Sequence, residues 1–219
     1  MPRGDDPLTN LPELLEGAKV TVAASFFAIL LGTMIGTAAG VAEKSRLRPI
    51  RVLVSVYVSF FRGTPLFVQI LVIYFLLPAI GLDIPRFTTG VLALALNSGA
   101  YISQMISGAI TAIPDGQLQA ARALAMPRRK IWRRIIVPQA FRLILPPLTV
   151  EFSSLVKNSA FLSVIGVVEL TRTGQQIISV SFQPTQTWVV VAMMYFVMCF
   201  VIGLMARRME RATSAQAFR

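Results

Sequence analysis

Polar side chains recur at helical spacing inside otherwise apolar stretches of this sequence. Glu151, Ser154, Asn158 and Phe161 form one such stripe, Asn97, Tyr101, Gln104 and Gly108 a second, and Arg62 lies seven residues before Gln69. Offsets of three, four and seven place residues on one face of a helix. An ionisable group in an apolar helix is costly to retain and marks a pathway or binding site. Amides and hydroxyls there also join helices to one another, and about half of these residues are expected to do only that. Arg62 alternatively anchors a helix at the membrane boundary, and Lys157 alternatively snorkels outward. Catalysis has little to work with. The chain has no histidine and so no imidazole base or ligand. Its one cysteine, Cys199, forms no intrachain disulfide and says nothing of redox compartment. No paired-carboxylate or cysteine-based metal site is evident, so no metal is expected. Nothing reads G-x-x-x-x-G-K-[ST], so no nucleotide phosphate is cradled by this chain.

The elements that carry these stripes are membrane helices. Apolar residues make up 55% of the 219 positions and charged ones 14%, a balance suited to lipid. Uncharged runs extend from Val20 to Ala42, Gly63 to Leu82, Phe87 to Pro114 and Thr173 to Ala206. Each can cross a hydrocarbon layer of about 30 Å as a helix. Leu143 to Val168 adds a fifth crossing that carries Glu151, Lys157 and Asn158. The expected architecture is an all-α integral membrane protein, one domain of about five spans near 18–42, 52–81, 87–113, 139–167 and 186–207. The second of these is long and contains Arg62-Gly63-Thr64-Pro65, so it tilts, protrudes or breaks there. A partly helical piece is expected around Glu169 to Ile178. The first segment follows Asp5, Asp6, Glu13 and Glu16 rather than a basic run, so it reads as a retained helix and not a cleaved signal.

The net charge of +11 reflects topology more than nucleic-acid binding. Loops 43–51, 115–142 and 207–219 hold most of the 21 Lys and Arg, which assigns that side to the cytoplasm by the positive-inside rule. The N-terminus is then outside and the C-terminus in the cytoplasm.

The segment 114–138 stands apart from the spans. Pro114-Asp115-Gly116 is a turn signal whose aspartate can cap the next helix. Gln117 to Ala125 is built of strong helix formers. The small Ala120, Ala121, Ala123 and Ala125 would let a partner's groove approach the backbone closely. Pro127 suits the first turn of a second helix. In that helix Ile131, Trp132, Ile135 and Ile136 oppose Arg129, Lys130, Arg133 and Arg134, which predicts an amphipathic element lying flat at the membrane surface.

Gln119-Ala120-Ala121-Arg122-Ala123-Leu124-Ala125, then nine residues, then Ile135-Ile136-Val137-Pro138 resembles the EAA loop of ABC-transporter membrane subunits, E-A-A-x-x-x-G, nine residues, I-x-L-P. Phe61 to Gln69, Leu96 to Tyr101, Pro138 to Arg142, Leu145 to Leu148 and Leu155 to Ser159 are similar to segments of the polar-amino-acid-uptake permeases, histidine, glutamine and glutamate permeases among them. The resemblance covers nearly the whole chain and implies a type I importer permease of the bacterial inner membrane. It implies a cytoplasmic coupling helix seated in a separate ATPase dimer, a second permease subunit, identical or related, and an extracytoplasmic binding protein. ATP and Mg would be held by the ATPase, with no cofactor in this chain. Asp115, Gln119, Ala120, Ala121, Arg122, Ala125, Pro127 and Arg128 would form the coupling contact. Gln119 stands in place of the pattern's glutamate and Ala125 in place of its glycine, which implies a neutral contact and a less sharp turn.

An amino acid substrate would need a cationic or N–H-rich partner for its carboxylate and an acidic or carbonyl partner for its ammonium. The expected path is Arg62, Gln69, Asn97, Tyr101, Gln104, Glu151, Ser154 and Asn158. Many relatives carry aspartate where Asn158 stands, and its absence implies acidic or neutral polar amino acids rather than cationic ones. Two rivals remain at this point. A stand-alone ion-coupled secondary carrier commonly shows inverted repeats and more spans. A membrane-embedded enzyme would need a catalytic constellation.

Overall fold

The computed structural model describes residues 10–215, and among them every regular element is helical. In chain order they are α1 (Leu11–Ala42), α2 (Arg48–Gly63), α3 (Leu66–Ala79), α4 (Arg86–Thr111), α5 (Asp115–Ala123), α6 (Arg128–Ile131), α7 (Val137–Asn158), α8 (Leu170–Ser181) and α9 (Pro184–Ala215). Among the described residues, three stretches are long and apolar enough to cross a membrane: α1, the continuous helix Arg128–Ile165, and Pro184–Arg208. The bent pair α2–α3 makes a fourth. Large apolar side chains such as Phe26, Met34, Leu53, Met193 and Phe196 point outward, as a lipid-facing surface requires.

Helix α4 is the axis of the bundle. Its 26 residues are buried along much of their length, including Val91, Leu94, Asn97, Ser98, Ile102 and Ser103. Because neighbouring helices cover it, its sequence tolerates hydroxyls and amides that a lipid-facing helix would not. Helix α1 lies along it through Gly32, Gly36 and Gly40, spaced four apart so that all three face α4. A methyl group added at Gly36 would sit 2.6 Å from Ile102 Cβ, and one at Gly40 would sit 2.7 Å from the Ser103 carbonyl oxygen. Only glycine lets the two backbones come this close. With hydrocarbon on the outside, such dispersion-rich contact supplies association that apolar burial cannot.

The expected run 52–81 is two helices, α2 and α3, bent by 114°. Pro65 lacks an N–H and drives Thr64 into the extended region (φ −122°, ψ 149°), so α2 stops at Gly63. The freed carbonyls are taken up by two side chains. Gln69 Nε2 donates to Phe61 O at 2.8 Å and to Thr64 Oγ1 at 2.7 Å, with Thr64 O at 3.0 Å. Asn97 Nδ2, from α4, donates to Phe61 O at 3.2 Å and to Gln69 Oε1 at 2.9 Å. Tyr57 adds a third tie, its hydroxyl donating to Leu96 O at 2.6 Å.

The basic segment does not form a separate helix lying in the membrane surface. Arg128 to Ile131 continues through a π-helical stretch, Trp132–Ile136, straight into α7. Pro138 explains the widening: it has no N–H for the Arg134 carbonyl and its ring would crowd that oxygen, so the backbone bonds one residue further back, Val137 N to Trp132 O. Pro127 sits just before this helix rather than inside its first turn, its carbonyl accepting from Lys130 N and Ile131 N. The apolar side, Ile131 and Ile136, packs with Ala109 and Ile113 of the α4 end, Ala121 of α5 and Ala140 of α7.

Beyond α7, a 3₁₀ stretch (Ser159–Ile165) ends at Gly166, and Glu169 then caps α8 by accepting from Arg172 N at 2.8 Å and Thr171 N at 2.9 Å. This carboxylate is fully buried. It also accepts from the Tyr195 hydroxyl of α9 at 2.8 Å, while Thr21 of α1 accepts from Leu170 N at 3.2 Å, so three helices meet on one acid. Burial pushes the Glu169 carboxyl above the ordinary glutamate range, against the opposing pull of its backbone and tyrosine hydrogen bonds.

Two outcomes follow. Gln69→Leu leaves the Thr64 carbonyl without its amide donor and Asn97 without its Gln69 acceptor, while Phe61 O keeps only the longer bond from Asn97, at a cost of about 1–3 kcal/mol for each group left unpaired; a thermal melt of the purified protein should shift clearly downward, and an unchanged melt would deny the elbow its side-chain support. A raised folded-state pKa means that the Glu169 contribution is full below the unfolded value and is lost as pH rises through the folded one. The wild-type melting temperature should therefore carry a downward component with rising pH that Glu169→Gln lacks, and parallel pH profiles would contradict this.

Candidate functional site

The polar side chains gather on the face of α4 turned toward the elbow and toward α7. Arg62, the last charged residue of α2, is exposed, and its guanidinium lies 5.5 Å from the centroid of the Tyr101 ring of α4. The contact holds the arginine in place without neutralising it, because a ring quadrupole attracts a cation but supplies no counter-charge. One turn away, Asn97 is buried in the elbow network. Between them in sequence is Ser98, buried and without a hydrogen bond within 3.5 Å, near the Glu151 carboxylate of α7. Glu151, Ser154 and Asn158 are half-buried on α7, Asn158 being its last residue. Phe161, in the following turn, meets Phe67 of α3 edge-on at 6.1 Å between centroids.

The expected path residues therefore divide by role. Gln69 and Asn97 are brought together, but their amide protons are committed to the backbone of the bend. Arg62 with Tyr101 forms one pair and Glu151 with Ser98 another, linked through consecutive turns of α4. Gln104 is elsewhere, donating to Glu43 Oε2 at 3.1 Å near the α5 end of the bundle. Neither Ser98 nor Glu43 stood out in the sequence, although Ser98 lies within the Asn97–Tyr101 segment that carried the resemblance.

At the end of α4, α5 turns back against the bundle. Asp115 is its first residue and makes no side-chain cap, contrary to the capping role expected of it; its charge faces the positive end of the helix dipole instead. Ala121 is buried against the α4 and α7 ends. Gln119, Ala120, Arg122, Ala123 and Leu124 are exposed, Leu124 by 77%. The four alanines thus do not share one outward surface: Ala121 seats the helix, while Ala120 and Ala123 remain outside. Gln117 of α5 accepts from Gln139 Nε2 of α7 at 2.7 Å, a second tie between the two.

The turn after α5 is as sharp as a glycine would make it. Ala125 adopts φ +52°, and Met126 N reaches back to Ala121 O at 3.1 Å, the closing bond of a left-handed helix stop. A β-carbon in this conformation costs about 1–2 kcal/mol. Ala125→Gly should accordingly raise thermal stability by about 1 kcal/mol with the turn unchanged, and a lower melting temperature for the glycine variant would show the alanine to be unstrained. Arg122, Ala125 and Arg128 line a cavity beside this turn.

Comparison with known proteins agrees with this geometry. Residues 22–215 match the model of the binding-protein-dependent transport system inner membrane component. The chain is 38% identical over 203 residues to the glutamine transport system permease protein of Escherichia coli, covering 92% of this chain and 93% of that protein. It is 36% identical over 201 residues to the L-cystine transport system permease protein of Bacillus subtilis, covering 91% and 86%. Among solved structures it is similar to an amino acid ABC transporter crystallised with histidines, with TM-score 0.88, 38% identity and 94% and 96% coverage. The inward-facing methionine ABC transporter shares the fold, with TM-score 0.77 at 24% identity over 91% of this chain and 95% of that one. A chain matched over most of its length, with polar residues gathered at the middle of α4 and a short helix seated at its end, belongs to the family of binding-protein-dependent transport system inner membrane components, the membrane permeases of ABC transporters.

Proposed function

We propose that this permease forms the translocation path of an ATP-driven importer for acidic or neutral polar amino acids. The observation that carries the reading is that an exposed cation, Arg62, and a half-buried carboxylate, Glu151, both approach the middle of α4, the one at Tyr101 and the other near Ser98. Arg62 would receive the substrate carboxylate and Glu151 its ammonium, with Ser98 near that same acid. Ser154 and Asn158 would meet the side chain. A neutral amide at 158 offers donor and acceptor together, which suits an amide or acid side chain better than a cationic one. The relatives transporting glutamine and cystine support a polar, uncharged substrate class.

Coupling would run through α5. Its exposed residues, with Gln119 presenting a neutral amide, would sit in a cleft of a separate ATPase dimer that holds ATP and Mg. The basic α5 end of the bundle would face the cytoplasm, with the N-terminus outside. A second permease subunit, identical or related, and an extracytoplasmic binding protein would complete the assembly. No observation favours a stand-alone ion-coupled carrier.

Vesicles containing the permease with its companion ATPase and binding protein should accumulate labelled glutamine or glutamate only with ATP. Uptake by the purified chain alone under an ion gradient would replace this reading with the carrier. Glu151→Gln should lower uptake at least about tenfold, the scale of one lost charge-assisted contact, and Asn158→Asp should move preference toward arginine. Unchanged rate and preference in both variants would put the pocket elsewhere.

A further inference from the structure

Two features at the α5 end of the bundle lie apart from the expected path residues, and one of them shares Arg122, Ala125 and Arg128 with the expected coupling contact. One is a cavity of about 620 Å³ into which Arg46 from the α1–α2 loop, Arg122 from α5 and Arg128 from α6 project. The other is an apolar groove of about 230 Å³ running along α1, α4 and α7, lined by residues such as Thr37, Ile106, Phe141 and Leu148. Trp132 and Ile136 line both, so the groove and the cavity adjoin at these two side chains. Lys44, whose ammonium donates to Thr111 Oγ1 at 2.8 Å, ties the Arg46 loop to the end of α4 beside the cavity that Arg46 lines.

The shape is that of an amphiphile: a dry channel at the level of the spans, a tryptophan at its mouth, and three guanidiniums immediately beyond. Tryptophan favours the boundary between chains and headgroups. Arginine forks match phosphate oxygens in pairs. None of the expected path residues lines the groove, and among the described residues no carboxylate lines either feature. The cavity therefore carries uncompensated positive charge, which a zwitterionic headgroup answers only in part.

We infer that the joined groove and cavity bind one anionic phospholipid, an acyl chain between α1 and α7 and the phosphate among Arg46, Arg122 and Arg128. The bound lipid would fill the space beside the turn at Ala125 and brace α5 against the bundle. This reading is independent of the substrate assignment, but it requires that Arg122 and Arg128, both expected in the coupling contact, keep a side open to the phosphate when the ATPase is docked.

The test uses the permease–ATPase complex in detergent, titrated with phosphatidylglycerol or with phosphatidylcholine of the same chains, with bound lipid counted by native mass spectrometry. One phosphatidylglycerol should be retained at least about tenfold more strongly than phosphatidylcholine, the scale of two or three favourable arginines at a headgroup. Arg46→Gln, on an exposed loop, should weaken phosphatidylglycerol about fivefold and leave phosphatidylcholine unchanged. Thr37→Trp, which fills the groove from the exposed side of α1, should weaken both lipids, while Thr37→Ala should weaken neither. Glycerol 3-phosphate binding as tightly as the lipid and indifferent to Thr37→Trp would make this a site for a soluble anion and overturn the proposal. So would a disulfide joining two copies of a Thr37→Cys variant, which would place a second subunit in the groove, or an Arg46→Gln complex that loses its ATPase while keeping its lipid.

Discussion

The approach of α1 to α4 sets the dimensions of everything else in this molecule. Three glycines at four-residue intervals bring the helices together with no room for a single added methyl at Gly36 or Gly40. In lipid there is no apolar driving force between helices, so contact of this kind and the hydrogen bonds of buried side chains do the work of a core. Helix α4 is thereby fixed, and the elbow, α7 and α5 are all placed by what they touch on it.

That arrangement makes α4 a rod between two chemistries. At its middle it carries Asn97, Ser98 and Tyr101, which respectively hold the elbow, lie near Glu151 and stack under Arg62. Toward its end, Ala109 and Ile113 pack with Ala121 of α5, Ile136 and Ala140. Close-packed clusters shift as units rather than deform continuously. A displacement of α5 would then reach Arg62 and Glu151 through the body of α4 and the start of α7, with no separate signalling chain. The strained Ala125 turn fits this picture, since the left-handed stop is kept even where the residue disfavours it.

Much of this was legible in the sequence, and the limits have physical causes. The polar stripes were readable because helical spacing is fixed by geometry, and the structure brings Arg62 to Tyr101 and leaves Glu151 half-buried on α7. What spacing could not reveal was which polar groups were already satisfied: Gln69 and Asn97 serve carbonyls freed by Pro65, a demand created only by the 114° bend. The basic segment misled for a related reason. Its amphipathic pattern is real, but the apolar side covers the α4 and α5 ends rather than lipid, so the helix continues into α7 instead of lying flat. Glu169 gave no signal, because one acid between apolar residues looks the same whether it meets water or, as here, three helices.

The central claim is that α5 moves as one body with the start of α7. The pair Gln117 and Gln139, whose side chains touch at 2.7 Å, allows it to be asked directly. With Cys199 replaced by alanine, Gln117→Cys and Gln139→Cys joined by a short bis-thiol reagent would lock the two helices together. Vesicles holding the cross-linked permease with its ATPase should take up substrate within about twofold of the reduced control, since the lock restrains no motion the mechanism uses. Uptake that stops on cross-linking and returns on reduction would mean that α5 slides against the bundle, and the rigid joint would have to be abandoned.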